Sequence, residues 1–247
     1  MIKSLKMNLQ STDFNLKVLR RSWIRHPLNV VHCGAHLAQE ADDYHRLGFN
    51  SVIWIEASSK FALAASQAVE KFLNQRVIHA ALWNVSGVSL DLKIASNGAS
   101  SSLRGFADHS LIFPDIEMVG IEKIITTTLD DILNDISARG GLLVLDLQGV
   151  ELQVLQGAEA SLHKFDFVIC EVSMREVYVN QCTWGEVSEE LMRHGFVLVD
   201  WTLNPNYGYG NALYARRDKY APFLRLLRRS ITLFSAASIS IQRRCFY

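Results

Sequence analysis

The feature that most constrains this chain is an alternation that runs from Asn29 to Arg216. Short apolar runs rich in β-branched residues take turns with longer stretches of helical periodicity. Strands separated by helix-length crossovers pair parallel, and a parallel sheet needs helices on both faces. The strand runs are Val30–Cys33, Ser51–Glu56, Arg76–Ala81, Leu142–Leu147 and Phe167–Val172. After Val172 the rhythm changes. Phe196–Trp201 and Ala212–Arg216 flank Asn204-Pro-Asn-Tyr-Gly-Tyr-Gly, so an antiparallel hairpin is expected beside the parallel strands.

Helical patterns are expected over Ala38–Leu47, Ser59–Leu73, Thr128–Ala138, Val150–Leu162 and Thr183–Arg193. Glycines at 48, 140 and 195 stop three of them. Leu90–Lys123 is the least regular part, with Ser, Asn and Gly gathered at Ser96–Ser102. A small strand pair and a loop are expected there, placed to form a substrate lid.

Charge divides the chain further. Residues 1–26 carry six Lys/Arg against Asp13, and residues 216–247 carry eight against Asp218. The body between them has eleven basic and twenty-three acidic residues, so its −12 balances the ends. Three parts are therefore expected: a basic helical extension at 1–27, one α/β domain at 28–218, and a basic tail at 219–247. In the tail, Pro222 can begin a helix with Phe223, Leu226, Leu227, Ile231 and Phe234 on one face and Arg225, Arg228 and Arg229 flanking it. This directs the ends, rather than the body, toward an anionic partner such as the inner membrane surface, with no nucleic acid expected. Cys33, Cys170, Cys182 and Cys245 lack metal-ligand spacing and read as free thiols of a cytoplasmic protein. No metal site is expected.

The chemistry gathers where the strands end. The first strand runs into His32-Cys33-Gly34-Ala35-His36, a turn whose small residues let a ligand approach the backbone. About 20 residues later the second strand ends on Glu56, where a carboxylate can accept hydrogen bonds from ribose hydroxyls. Asn84 follows the third strand, at the position where an adenine edge would be met. The fourth strand delivers Asp146, then Gln148 and Glu151 at the start of a helix; the fifth delivers Glu171. Carboxylates at this edge face the ligand crevice of an open α/β sheet, and two close together raise one another's pKa, which suits proton abstraction. His36 and His109 are further candidate bases.

Five segments in this order resemble the FkbM-type methyltransferases: Val31-His-Cys-Gly-Ala-His, Val52-Ile-Trp-Ile-Glu-Ala, Asn97-Gly-Ala-Ser-Ser-Ser-Leu, Thr128-Leu-Asp-Asp, and Asp146-Leu-Gln-Gly-Val-Glu-Leu-Gln-Val-Leu-Gln-Gly-Ala. The resemblance spans roughly residues 28–216. It implies a Rossmann-like class I methyltransferase fold, with a mostly parallel seven-stranded sheet and the hairpin at one end. It also implies methyl transfer from S-adenosyl-L-methionine, commonly onto a hydroxyl of a sugar or natural-product acceptor and without a required metal. His32, Gly34, Ala35, His36, Glu56, Ala57, Asn84 and Asp146 are then the expected cofactor-binding residues. Asp146, Glu171 and His36 are the candidate catalytic residues, and Asn97, Ser101, Gln148 and Glu151 the acceptor-binding ones. Four positions depart from the family pattern: His32 for Asp, Ala38 for Gly, Ala57 for Pro, and Val144 for a Lys that often precedes the Asp. A nicotinamide oxidoreductase shares the strand–glycine–acid layout but lacks its fuller glycine fingerprint here. A non-catalytic module on the same fold is the other competing reading.

Overall fold

The computed structural model describes residues 29–134, 136 and 140–218. The expected extension 1–27 and tail 219–247 lie outside them. Seven strands form the main sheet: β1 (Asn29–Cys33), β2 (Ser51–Glu56), β3 (Gln75–His79), β7 (Gly141–Leu145), β8 (Phe165–Ser173), β9 (Phe196–Leu203) and β10 (Tyr209–Arg216). Their order is β3-β2-β1-β7-β8-β10-β9. The first five are parallel, and β10 runs antiparallel between β8 and β9. The strand order reverses between β1 and β7. Their carboxyl ends part there and leave the crevice in which such sheets bind ligands.

The two-residue periodicity of the strands divides their apolar side chains between two cores. On one face Val30, Val52, Trp54, Leu142 and Val144 pack beneath α1 (Ala41–Leu47) and α2 (Ser59–Val69) through Tyr44, Ala65 and Val69. On the other face Val31, Ile53, Leu143 and Leu145 pack with α4 (Leu129–Leu133), α5 (Glu151–Gln156) and α6 (Trp184–Arg193). The helix ends follow local chemistry. Thr183 and Glu186 form a reciprocal capping box at the start of α6, and Gly48 takes the left-handed conformation (φ 73°) that ends α1. Cys33 and Cys170 are buried free thiols, and Cys182 is a half-buried one.

Two expectations change. The third strand stops at His79: the bond from the Ala80 amide to the Glu56 carbonyl (2.9 Å) is the last rung to β2, and Ala81–Leu82 (β4) then leaves to join a second sheet. That sheet, ordered β4-β6-β5, contains the strand pair expected in the irregular region, β5 (Ser89–Ala95) and β6 (Met118–Thr127). The helix expected over Val150–Leu162 ends at Gln156. A side chain at Gly157 would come within 2.3 Å of the Trp83 carbonyl oxygen, so the backbones touch there. The loop that holds α3 (His109–Ile112) borders the cavity, as expected of that region, and is tied to the segment after β8: Phe106 bridges to Tyr178, and the Ala107 and His109 amides donate to the Val177 carbonyl. Among the described residues no helix is long and apolar enough to cross a membrane.

Candidate functional site

A cavity of about 390 Å³ opens at the carboxyl ends of β1, β2, β7 and β8. Its volume falls in the range of small-molecule sites, roughly 300–1,000 Å³.

One half is built on the β1 turn. Gly34 has φ 89°, and a Cβ there would lie 1.8 Å from the Asp146 carbonyl oxygen, so the glycine is dictated by the close approach of β1 to β7. The Gly34 and Ala35 amides donate to the Ile55 carbonyl (2.9 and 3.1 Å), and the His36 amide donates to Glu56 Oε2 (2.7 Å). Glu56 Oε1 accepts from the Ser58 amide (2.9 Å). Burial pushes the Glu56 carboxyl upward, and these backbone donors pull it back toward the ionised form. A carboxylate has about four lone-pair sites, so both oxygens keep capacity for a ligand hydroxyl. Ala38, where the family often has Gly, sits at φ 51°, the left-handed region that glycine takes without strain.

His32 is nearly wholly buried. Its Nδ1 lies 2.9 Å from the Tyr44 hydroxyl and its ring stacks on Trp54 at 4.7 Å. Burial pushes it down to about 4 despite the Asp146 charge, so it is neutral. The His36 ring packs on Phe61, its Nδ1 accepts from Gln39 Nε2 (3.0 Å), and burial makes it a weaker base than a free imidazole.

The other half is a side-chain network. Gln148, at φ 57°, donates through Nε2 to Asp146 Oδ1 and to Glu171 Oε2 (3.0 Å), while the Tyr178 hydroxyl donates to its Oε1. The turn is braced from behind. Ser102 Oγ donates to the Gln148 carbonyl (2.7 Å), and Arg104 joins the Gly149 and Val179 carbonyls (2.8 and 3.1 Å). Asp146 is exposed and lines the cavity. Burial raises both Asp146 and Glu171, and Glu171 is raised further because the Asp146 charge and the hydrogen bond that protonated Glu171 donates to Asp146 add to it. Of the two, Glu171 therefore holds a proton more firmly than Asp146.

Of the residues expected at the site, His32, Gly34, Ala35, His36, Glu56, Ala57, Asn97, Ser101, Asp146, Gln148 and Glu171 line this cavity. Two do not. Asn84 is exposed outside it, carried away when the chain leaves β3 for the second sheet. Glu151 is turned inward, buried, accepting from the Leu147 amide (2.9 Å) and the Gly149 amide (3.1 Å); it shapes the turn and does not face an acceptor. Asn97 and Ser101 lie on the cavity wall, but their polar atoms are largely spent on the loop: Asn97 on Ser100, and Ser101 on the Gly98 carbonyl and the Ala95 amide. Val144 is fully buried in the core, away from the cavity.

Sequence reasoning missed Tyr178, Ser102 and Arg104. The one available signal for Tyr178 was its place just past the carboxyl end of β8, the edge where ligands sit. Among the described residues no group of His, Cys, Asp and Glu is arranged to hold a metal ion.

This sheet order, with its antiparallel β10 and the crevice between β1 and β7, defines a class I methyltransferase fold. Ribosomal protein L11 methylase from Lactobacillus delbrueckii subsp. bulgaricus shares it, with a TM-score of 0.50 and 13% identity over 85% of this chain and 80% of that one. Magnesium protoporphyrin IX methyltransferase from Synechocystis PCC 6803, solved with bound SAM, aligns with a TM-score of 0.48 and 12% identity over 84% and 78%. The FkbM methyltransferase domain matches residues 32–198, and the chain belongs to that family. Comparison with curated protein sequences gives no match.

Proposed function

We propose that this protein is an S-adenosylmethionine-dependent methyltransferase that methylates a hydroxyl of a sugar or other small-molecule acceptor. The observation that carries the reading is one cavity holding both Glu56, on the β1–β2 side, and the Asp146–Glu171 pair bridged by Gln148. The residues fit the cofactor. Glu56 keeps lone pairs for ribose hydroxyls, the Gly34–His36 turn brings main chain to the cavity wall, and Ala57, Ala80 and Leu82 give it an apolar flank. When bound, S-adenosylmethionine supplies a methyl group already activated on a positively charged sulfur, which acidic walls favour.

What remains for the chain is positioning and proton removal. Gln148 holds both carboxyl groups through one amide, and Tyr178 fixes that amide by donating to its oxygen. Asp146, which holds a proton less firmly than Glu171, takes the proton of the acceptor hydroxyl as it is methylated. Glu171 keeps its own proton and steadies Asp146. His36 is less suited to the role, because burial lowers its basicity and Gln39 occupies its Nδ1.

The test is calorimetric titration with S-adenosylhomocysteine, with NAD as a control. Binding to the wild type and not to Glu56→Ala is expected, with an affinity loss of about 100-fold from removing a buried carboxylate acceptor. No binding to the wild type, or binding of NAD in its place, would overturn the reading.

A further inference from the structure

At the end of the cavity away from Glu56 the wall is aromatic. Phe113, Tyr178 and Tyr209 line it together with His109. Phe113 packs on Tyr209 (6.2 Å between ring centres) and on His109 (5.2 Å); Tyr207 stacks behind Tyr209 at 6.0 Å. His109 is 2% exposed, and its Nδ1 has no hydrogen-bond partner within the described protein. Its ring is fixed by Phe106 stacked at 3.8 Å.

Among the described residues the charge of the same cavity is one-sided. The acids Glu40, Glu56 and Asp146 line it beside the proton-holding Glu171, and burial disfavours the charged form of His32, His36 and His109. The arginines of the flanking loops are engaged elsewhere: Arg175 with Asp108 at 2.7 Å, and Arg104 with main-chain carbonyls. An anion entering this space gives up hydration and meets like charge. A neutral ring gives up little, and lays an apolar face against the aromatic wall while its hydroxyls remain free to hydrogen bond.

We infer that the acceptor is an uncharged, hydroxyl-bearing ring seated on Phe113, Tyr178 and Tyr209, and that the cavity carboxylates turn away acceptors bearing a phosphate or carboxylate. This rests on the methyltransferase reading of the same cavity.

Saturation-transfer NMR on the full-length protein loaded with S-adenosylhomocysteine tests it with two probes, phenyl glucoside and its phosphorylated counterpart. The neutral probe is expected to bind, and the phosphorylated one at least about tenfold more weakly, a gap of about 1.4 kcal/mol. Phe113→Ala is expected to weaken the neutral probe while uptake of S-adenosylhomocysteine is unchanged. Ile116→Lys, which adds a cation to the cavity wall, is expected to narrow the gap. Equal or tighter binding of the phosphorylated probe, or no binding of either to protein that holds S-adenosylhomocysteine, overturns the inference. Failure to take up S-adenosylhomocysteine at all would instead undo the functional reading beneath it.

Discussion

The two halves of the cavity are held together by different means. On the β1–β2 side a side chain serves the backbone: Glu56 accepts the amides of His36 and Ser58, and Gly34 lets β1 lie against β7. On the β7–β8 side the backbone serves side chains. The Gln148–Gly149 turn, braced by Ser102 and Arg104, exists to aim one amide at two carboxyl groups. The first half has the shorter-range hydrogen bonds, and its turn is welded into the sheet against β7. The second is assembled from distant segments, so it can lose chemistry without losing the fold.

That contrast is sharpest at Gly34. Gly34→Ala forces a methyl into the Asp146 carbonyl, a backbone collision with no flexible side chain to yield. A loss of about 4 kcal/mol or more is expected, lowering Tm by on the order of 10 °C in a thermal melt. A wild-type melt would break the claim that this half is welded to the fold.

Gln148→Ala should do the reverse. Turnover is expected to fall about 100-fold, the lower end of a positioned acid–base contribution, while calorimetric affinity for S-adenosylhomocysteine stays within about twofold. Affinity falling in parallel with turnover would show that the halves are not separable.

A smaller effect tests the turn between them. Burial pushes the Glu151 carboxyl up to about 7 from an ordinary 4.5. Across that interval the unfolded chain gives up this proton first, so stability from Glu151 is full below about 4.5 and is lost as pH rises toward 7. Asp146 and Glu171 are raised in the same sense. Glu151→Gln is therefore expected to shrink the fall in Tm between pH 5 and 7.5 without abolishing it. An unchanged pH profile would mean that Glu151 is not desolvated as described. Asn84→Ala, outside the cavity, should leave affinity for S-adenosylhomocysteine unaltered within about twofold. A larger loss would return Asn84 to the cofactor half.

The same division explains what could be read from the sequence. β2 was legible residue for residue, and Gly34 and Glu56 could be paired because a single βαβ unit fixes their spacing. The second half was legible only as separate acids. What joins them spans 30 residues from Gln148 to Tyr178, 46 from Ser102 to Gln148 and 75 from Arg104 to Val179, and no local periodicity records such contacts. Asn84 was misplaced because the departure of β4 to a second sheet is set by tertiary pairing with Thr126 and Thr127. Glu151 was misread for a local reason: an acid opening a helix has the same pattern whether it faces a ligand or turns back onto its own loop.

The left-handed backbone of Gln148 carries a consequence for anyone engineering this protein. A side chain held at φ 57° costs about 1–3 kcal/mol that glycine would not incur. Gln148→Gly would relax that backbone, yet it deletes the only amide that reaches both Asp146 and Glu171 among the described residues, and with it the acceptor of the Tyr178 hydroxyl. Relieving strain at this position therefore removes the contacts that the strain holds in place, so robustness has to be sought elsewhere in the chain.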